Sequence, residues 1–135
     1  AYSAQHDSVS IHTGETFKHT TICATNSGEI NSKSLSNLIN EYELDEFALI
    51  VDIEATENEL LEQEFEVMNS HCPLVIIEFH PSRLDRNLRH YLEKMQSNYI
   101  LSDRRGDVFI FQRLEEEELK YTRLRYTLLT PLHSF

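Results

Sequence analysis

Apolar residues recur along this chain with two periods, and the switches between them mark its elements. Ala48 to Ile53 is almost wholly apolar and rich in β-branched side chains. Such a run predicts a strand buried on both faces, the habit of a parallel sheet. Pro73 to His80 (PLVIIEFH) has the same form. Between them Leu61, Phe65 and Met68 repeat at helical spacing,. That helix starts at Thr56, with Glu59 three residues on in the capping-box position,. Its acids at 57, 59, 62, 64 and 66 are expected mostly to face water. Strand, helix, strand in this order predicts a right-handed βαβ unit with its two strands parallel.

The flanking segments follow the same logic. Ser34 begins a helix whose Leu35, Leu38, Ile39 and Tyr42 form one stripe, and Ser34 or Ser32 can cap its first turn,. Upstream, Val9 and Ile11 alternate with polar residues, and Ile22 to Ala24 form a second short run after Phe17. Residues 1–33 therefore read as a two-stranded or irregular lead-in. Pro81-Ser82 is expected to open a helix carrying Leu84, Leu88, Tyr91, Leu92 and Met95. Asn98 to Ser102 and Val108 to Phe111 are strands, and the short Asp103–Asp107 link forces them into an antiparallel hairpin,. From Glu115 the chain reads as a short helix or strand with a loose end, and Pro131 stops any helix. The whole is one α/β domain: lead-in 1–33, core 34–113, tail 114–135.

Composition narrows the chemistry. A net charge of -11 argues against a non-specific nucleic-acid surface, which needs a basic face,. No apolar run approaches the ~18 residues of a membrane span. Cys23 and Cys72 are far apart and read as buried free thiols of a cytoplasmic protein,. The three glycines, Gly14, Gly28 and Gly106, are scattered, so no glycine-rich nucleotide loop exists here,. The histidines lack zinc spacing, and no metal site is expected,.

Candidate chemistry gathers at the strand ends. Asp52 and Glu54 lie two apart, so they share a face while the strand persists, and Glu57 follows on the first helical turn,. Glu78 and His80 close the second strand at the same spacing. With the two strands adjacent, these five groups can meet in the crevice where open α/β sheets bind ligands. Crowded carboxylates then call for a cation, an amine or a hydroxyl-rich ligand. The plainer account leaves the acids exposed at the sheet rim and His80 as a satisfied strand-end imidazole before Pro81.

These residues resemble a family. The order S-L-S-N-L-I, then F-A-L-I-V-D-I-E-A-T-E-N-E-L-L, then P-L-V-I-I-E-F-H is similar to the second half of an FkbM-type methyltransferase domain. Asp52, Glu54 and Glu57 fall on its D-x-E-x-x-E positions, Glu78 falls on its later acid, and Ala55 replaces its glycine. The likeness spans residues 30–113 and implies a partial Rossmann-like class I methyltransferase sheet ending in an antiparallel hairpin. It implies S-adenosylmethionine as cofactor and a small-molecule or glycan hydroxyl as methyl acceptor. Asp52 and Glu54 become the candidate catalytic residues, and Glu57, Glu78 and His80 the candidate substrate-binding residues. The family's glycine-rich loop would precede residue 1, so a half domain with an incomplete cofactor site is expected. Two alternatives stand beside this. I-V-D-I-E-A-T is also similar to the first motif of DEDD-type exonucleases, with Asp52 and Glu54 as metal ligands. A non-catalytic module that dimerises through an exposed sheet edge at Ala48–Ile53 is the other.

Overall fold

The computed structural model describes residues 1–13, 20–24, 28, 30–53 and 56–115. The lead-in is a three-stranded antiparallel sheet, one strand more than predicted. β1 (Ser8–Thr13) lies between β2 (Thr20–Ala24) and β3 (Ile30–Asn31). Gly28 lies so close to β1 that a Cβ there would fall 2.3 Å from the carbonyl carbon of Val9. No other residue type leaves that space.

The core follows as α1 (Leu35–Tyr42), β4 (Ala48–Val51), α2 (Glu57–Gln63), α3 (Phe65–His71), β5 (Leu74–Glu78), α4 (Leu88–Gln96), β6 (Tyr99–Arg105) and β7 (Val108–Arg113). Its sheet has the order β4-β5-β7-β6. β4 and β5 are parallel, in register from Ala48 opposite Leu74 to Val51 opposite Ile77. β7 runs antiparallel to both β5 and β6. The predicted parallel pair and hairpin are therefore present, within a mixed rather than parallel sheet. Gly106 turns the hairpin at φ 63°, where only glycine sits without strain,.

One face of the sheet carries the core. Val51, Val75, Ile77, Phe79, Tyr99, Phe109 and Phe111 are buried there against Leu60, Leu61, Phe65, Met68, Tyr91 and Met95. The expectation that β4 is buried on both faces is wrong. β4 is an edge strand, and Ile50 is 73% exposed on the side away from the helices. A β-branched run reads the same whether one side or two is covered, because the covering element lies elsewhere in sequence.

Three helix expectations also change. The predicted helix from Thr56 breaks at Glu64 into α2 and α3. Its capping box does not form: Thr56 Oγ1 donates instead to the Ile53 carbonyl at 3.0 Å. Glu59 accepts from Ser3 Oγ at 2.9 Å and from the amides of Ala4 and Gln5, fixing the N-terminal segment. The helix expected at Pro81 starts at Leu88, because Asn87 caps it by accepting from the His90 amide at 3.0 Å,. Tyr42, placed in the stripe of α1, is exposed. The Ser34 cap holds: Ser34 Oγ accepts from the Asn37 amide at 3.0 Å.

Glu64 explains the break. It is buried, and its carboxylate accepts from the amides of Leu35 at 2.8 Å and Ser36 at 2.9 Å, the first turn of α1. Ser36 Oγ and Tyr2 OH also donate to it, at 2.7 and 2.9 Å. A negative charge on the exposed amides of a helix start is favourable twice over, by hydrogen bonding and by the helix dipole.

The other end of this unit is closed from the hairpin. Tyr99 OH lies 2.9 Å from the Cys72 carbonyl and 3.3 Å from that of Met68. Arg113 Nη1 donates to the carbonyls of Asn69 and Ser70, and the Phe47 amide donates to that of His71. Cys72 is free and buried, and burial pushes its thiol up to about 11. Intact protein at pH 7.5 is expected to leave Cys72 unalkylated by iodoacetamide over hours, whereas urea-unfolded protein reacts at once. Peptide mass spectrometry reads this directly, and rapid native labelling at Cys72 would contradict the fold.

Candidate functional site at the carboxyl ends of β4 and β5

Two parallel strands ending side by side create the crevice where the sequence places its acids. β5 finishes at Glu78, and the chain then runs Phe79-His80-Pro81. Phe79 anchors this turn: its ring is buried, and its amide donates to the Asp107 carbonyl at 2.9 Å. The His80 carbonyl accepts from the Arg83 amide at 2.8 Å. Pinned on both sides, the imidazole reaches across to α2.

His80 Nδ1 lies 2.6 Å from Glu57 Oε1. Glu57 is the first residue of α2 and is fully buried, while the His80 side chain is 20% exposed. The reading of Glu57 as solvent-facing is therefore corrected. With Glu57 as a carboxylate, which only accepts, Nδ1 is the donor of this contact, and in a neutral ring Nε2 is then the proton-accepting nitrogen. Glu57 thus fixes both the tautomer and the orientation of a partly accessible imidazole.

Asp52 and Glu78 lie on the opposite side of the same edge. Val51 and Ile77 form the last paired position, so Asp52 and Glu78 come next on neighbouring strands. By alternation both share the side of Ile50 and Ile76, away from the helices. Asp52 is exposed and Glu78 half-buried. Among the described residues neither side chain takes part in a hydrogen bond or ion pair. Glu54 lies outside the described residues. The five candidates are therefore not one knot of charge. One pair, Glu57 and His80, is in contact on the helix side, and two carboxylates stand on the open side.

Among the described residues no group of three or more His, Cys, Asp or Glu side chains is placed to hold a metal ion. None of their helices is long and apolar enough to cross a membrane. A separate surface cluster joins α2 to α4. Glu62 meets His90 Nε2 at 2.9 Å and Lys94 Nζ at 3.1 Å. The His90 hydrogen bond, with help from Lys94, holds the Glu62 carboxyl below its ordinary range. Surface pairs of this kind contribute little to stability.

The structural roles of Glu59 and Glu64 escape sequence reading. Both sit in a run of acids that the sequence reads as one helix, and their partners come from about thirty to sixty residues away. No local pattern distinguishes them from solvated glutamates. Comparison with known protein families, curated proteins and solved structures finds no match to this chain.

Proposed function

We propose that this chain is a methyltransferase-like α/β module of FkbM type whose crevice at the ends of β4 and β5 receives a hydroxyl-rich small molecule or glycan. The observation that carries this is the Glu57–His80 contact, which presents an oriented imidazole at the carboxyl end of a parallel strand pair. Such an imidazole accepts a hydrogen bond, and at need a proton, from an acceptor hydroxyl. Asp52 and Glu78 at the same edge offer acceptor oxygens to neighbouring hydroxyls.

The residues present do not fit S-adenosylmethionine. Its binding in the resembled family rests on a glycine-rich strand-to-helix turn. Here Gly28 packs on β1 and Gly106 turns the hairpin, while the turn after β5 reads Phe79-His80-Pro81. We derive no transfer step, and the module on its own is a binder of the acceptor.

The test is a pair of titrations. Amide NMR shifts with methyl glycosides are expected to saturate at Asp52, Glu78 and His80 with a Kd of about 1 mM, roughly 4 kcal/mol. His80→Ala should weaken binding about tenfold. Absence of saturable shifts at these three positions would sink the acceptor reading. Calorimetry with S-adenosylmethionine is expected to show no micromolar binding, and micromolar affinity would overturn the incomplete cofactor site.

A further inference from the structure

The core sheet has two edges, β6 and β4, and they differ in kind. β6 is guarded. Its ladder shifts register between Leu101 and Asp103, and Asp103, Arg104 and Arg105 are charged and exposed. Arg104 also folds back, with its guanidinium 4.6 Å over the Phe109 ring and its Nε donating to the Gly106 carbonyl at 2.9 Å. Bulges and charges are the devices by which edge strands refuse further partners. β4 has neither. Ala48 to Val51 are all apolar and pair evenly with β5. Among the described residues no strand lies on its other side. In a strand paired on one side, alternate residues point their N–H and C=O groups away from that partner. β4 therefore presents a row of main-chain donors and acceptors, flanked by an Ile50 side chain that is 73% exposed.

We propose that the β4 edge takes up an extended segment of another protein as a fifth strand, apolar at alternate positions and ending in Lys or Arg. The added strand gains main-chain hydrogen bonds, and Ile50 gives its alternate side chains an apolar neighbour.

The charge around the edge selects this occupant. The chain enters β4 through Glu43, Asp45 and Glu46, all exposed. His71 holds this approach beside the sheet: its Nδ1 lies 2.7 Å from the Asp45 carbonyl, and its own carbonyl accepts from the Phe47 amide at 3.0 Å. Glu46 is met by Arg113. Among the described residues neither the Glu43 nor the Asp45 side chain takes part in an ion pair. A basic end on the incoming strand is drawn to these two acids, at a rim where charge sets partner choice and association rate. Antiparallel addition, the more stable pairing, puts that basic end at the C-terminus of the segment. A second copy of this chain is the weaker occupant. It would bring the same acids to the same edge, and like charges set across a strand pair are destabilising. The inference is independent of the hydroxyl-binding reading, because strand addition uses the main chain of β4 and leaves the Asp52 and Glu78 side chains to a ligand.

Amide shifts and hydrogen exchange of the full chain test this. The probe is an acetylated, amidated peptide of alternating valine and threonine closed by two lysines. In the chain alone, the outward amides of β4 are expected to exchange fast. Saturating peptide should shift the Ala48–Val51 amides and slow that exchange about tenfold or more. Replacing the two lysines of the peptide by glutamates should weaken binding about tenfold. Ile50→Lys, at an exposed position that leaves the fold intact, should remove saturable binding. Slow exchange of every β4 amide in the chain alone would show the edge already paired and would overturn the proposal. So would absence of saturable shifts on β4, equal binding of the two peptides, or unchanged binding by the Ile50→Lys variant.

Discussion

Glu64→Ala is expected to lower the unfolding free energy by about 3 kcal/mol, read from urea melts at pH 7. The substitution removes one carboxylate and leaves four donors behind: the Leu35 and Ser36 amides, the Ser36 hydroxyl and the Tyr2 hydroxyl. Each donor stranded away from water costs about 1–3 kcal/mol, and partial rehydration of the helix start keeps the sum below the arithmetic total. The effect is also pH-dependent, with a definite sign. Burial by itself would raise the Glu64 carboxyl. The Ser36 hydroxyl, the Ser36 and Leu35 amides and the Tyr2 hydroxyl together outweigh it and hold the group below its ordinary 4.5. The unfolded chain therefore binds a proton first on acidification. The stabilisation is complete above the unfolded value and is lost as pH falls through the lower folded one. The gap between wild type and variant should be constant from pH 7 to about 5 and shrink below about 4.5. A gap that stays constant down to pH 3, or a loss under 1 kcal/mol at pH 7, would show that Glu64 does not hold the start of α1.

Phe79→Ala is expected to cost about 4 kcal/mol and to lower the melting temperature by about 10–15 °C. Phe79 is 1% exposed and sits between Phe109, edge-on at 5.4 Å, and Tyr91, stacked at 6.4 Å. It joins β5, β7 and α4 just where the chain leaves β5 for His80. Tyr91 cannot swing into the space freely, because its hydroxyl donates to Asp85. The cavity should therefore persist. Because His80 hangs from the same turn, the variant should also weaken the proposed glycoside binding under conditions where it remains folded. Differential scanning calorimetry that finds a loss under 2 kcal/mol would mean the cluster collapses around the gap.

The backbone plan was largely legible. The β4–β5 pair announced itself through two apolar runs ending in acids, and the hairpin through the short polar link around Gly106. Ser34, one of two candidate caps, marked the start of α1 from local chemistry, and Asn37 as its partner came only with the structure. What stayed hidden depended on partners distant in sequence. Ile50 and Val51 look alike in the sequence, yet one is 73% exposed and the other 3%. The break between α2 and α3 follows from Glu64 serving another helix, which no window around residue 64 contains. Leu84 continues the helical period, but Asn87 caps better than Ser82, so the periodicity ran ahead of the helix. At the candidate site, the positions of Asp52 and Glu78 followed from strand ends. The choice of Glu57 as the partner of His80 required the helix to dock.

α3 ends with its last carbonyls bound by groups that arrive late in the chain, Tyr99 and Arg113, and by the Phe47 amide. A helix of seven residues is too short to persist alone in water,. Its completion is therefore tied to docking of β6 and β7, about thirty to forty residues downstream. Order of synthesis and order of consolidation part company here. A chain that stops before β6 is therefore expected to leave Phe65–His71 without a lasting helix,.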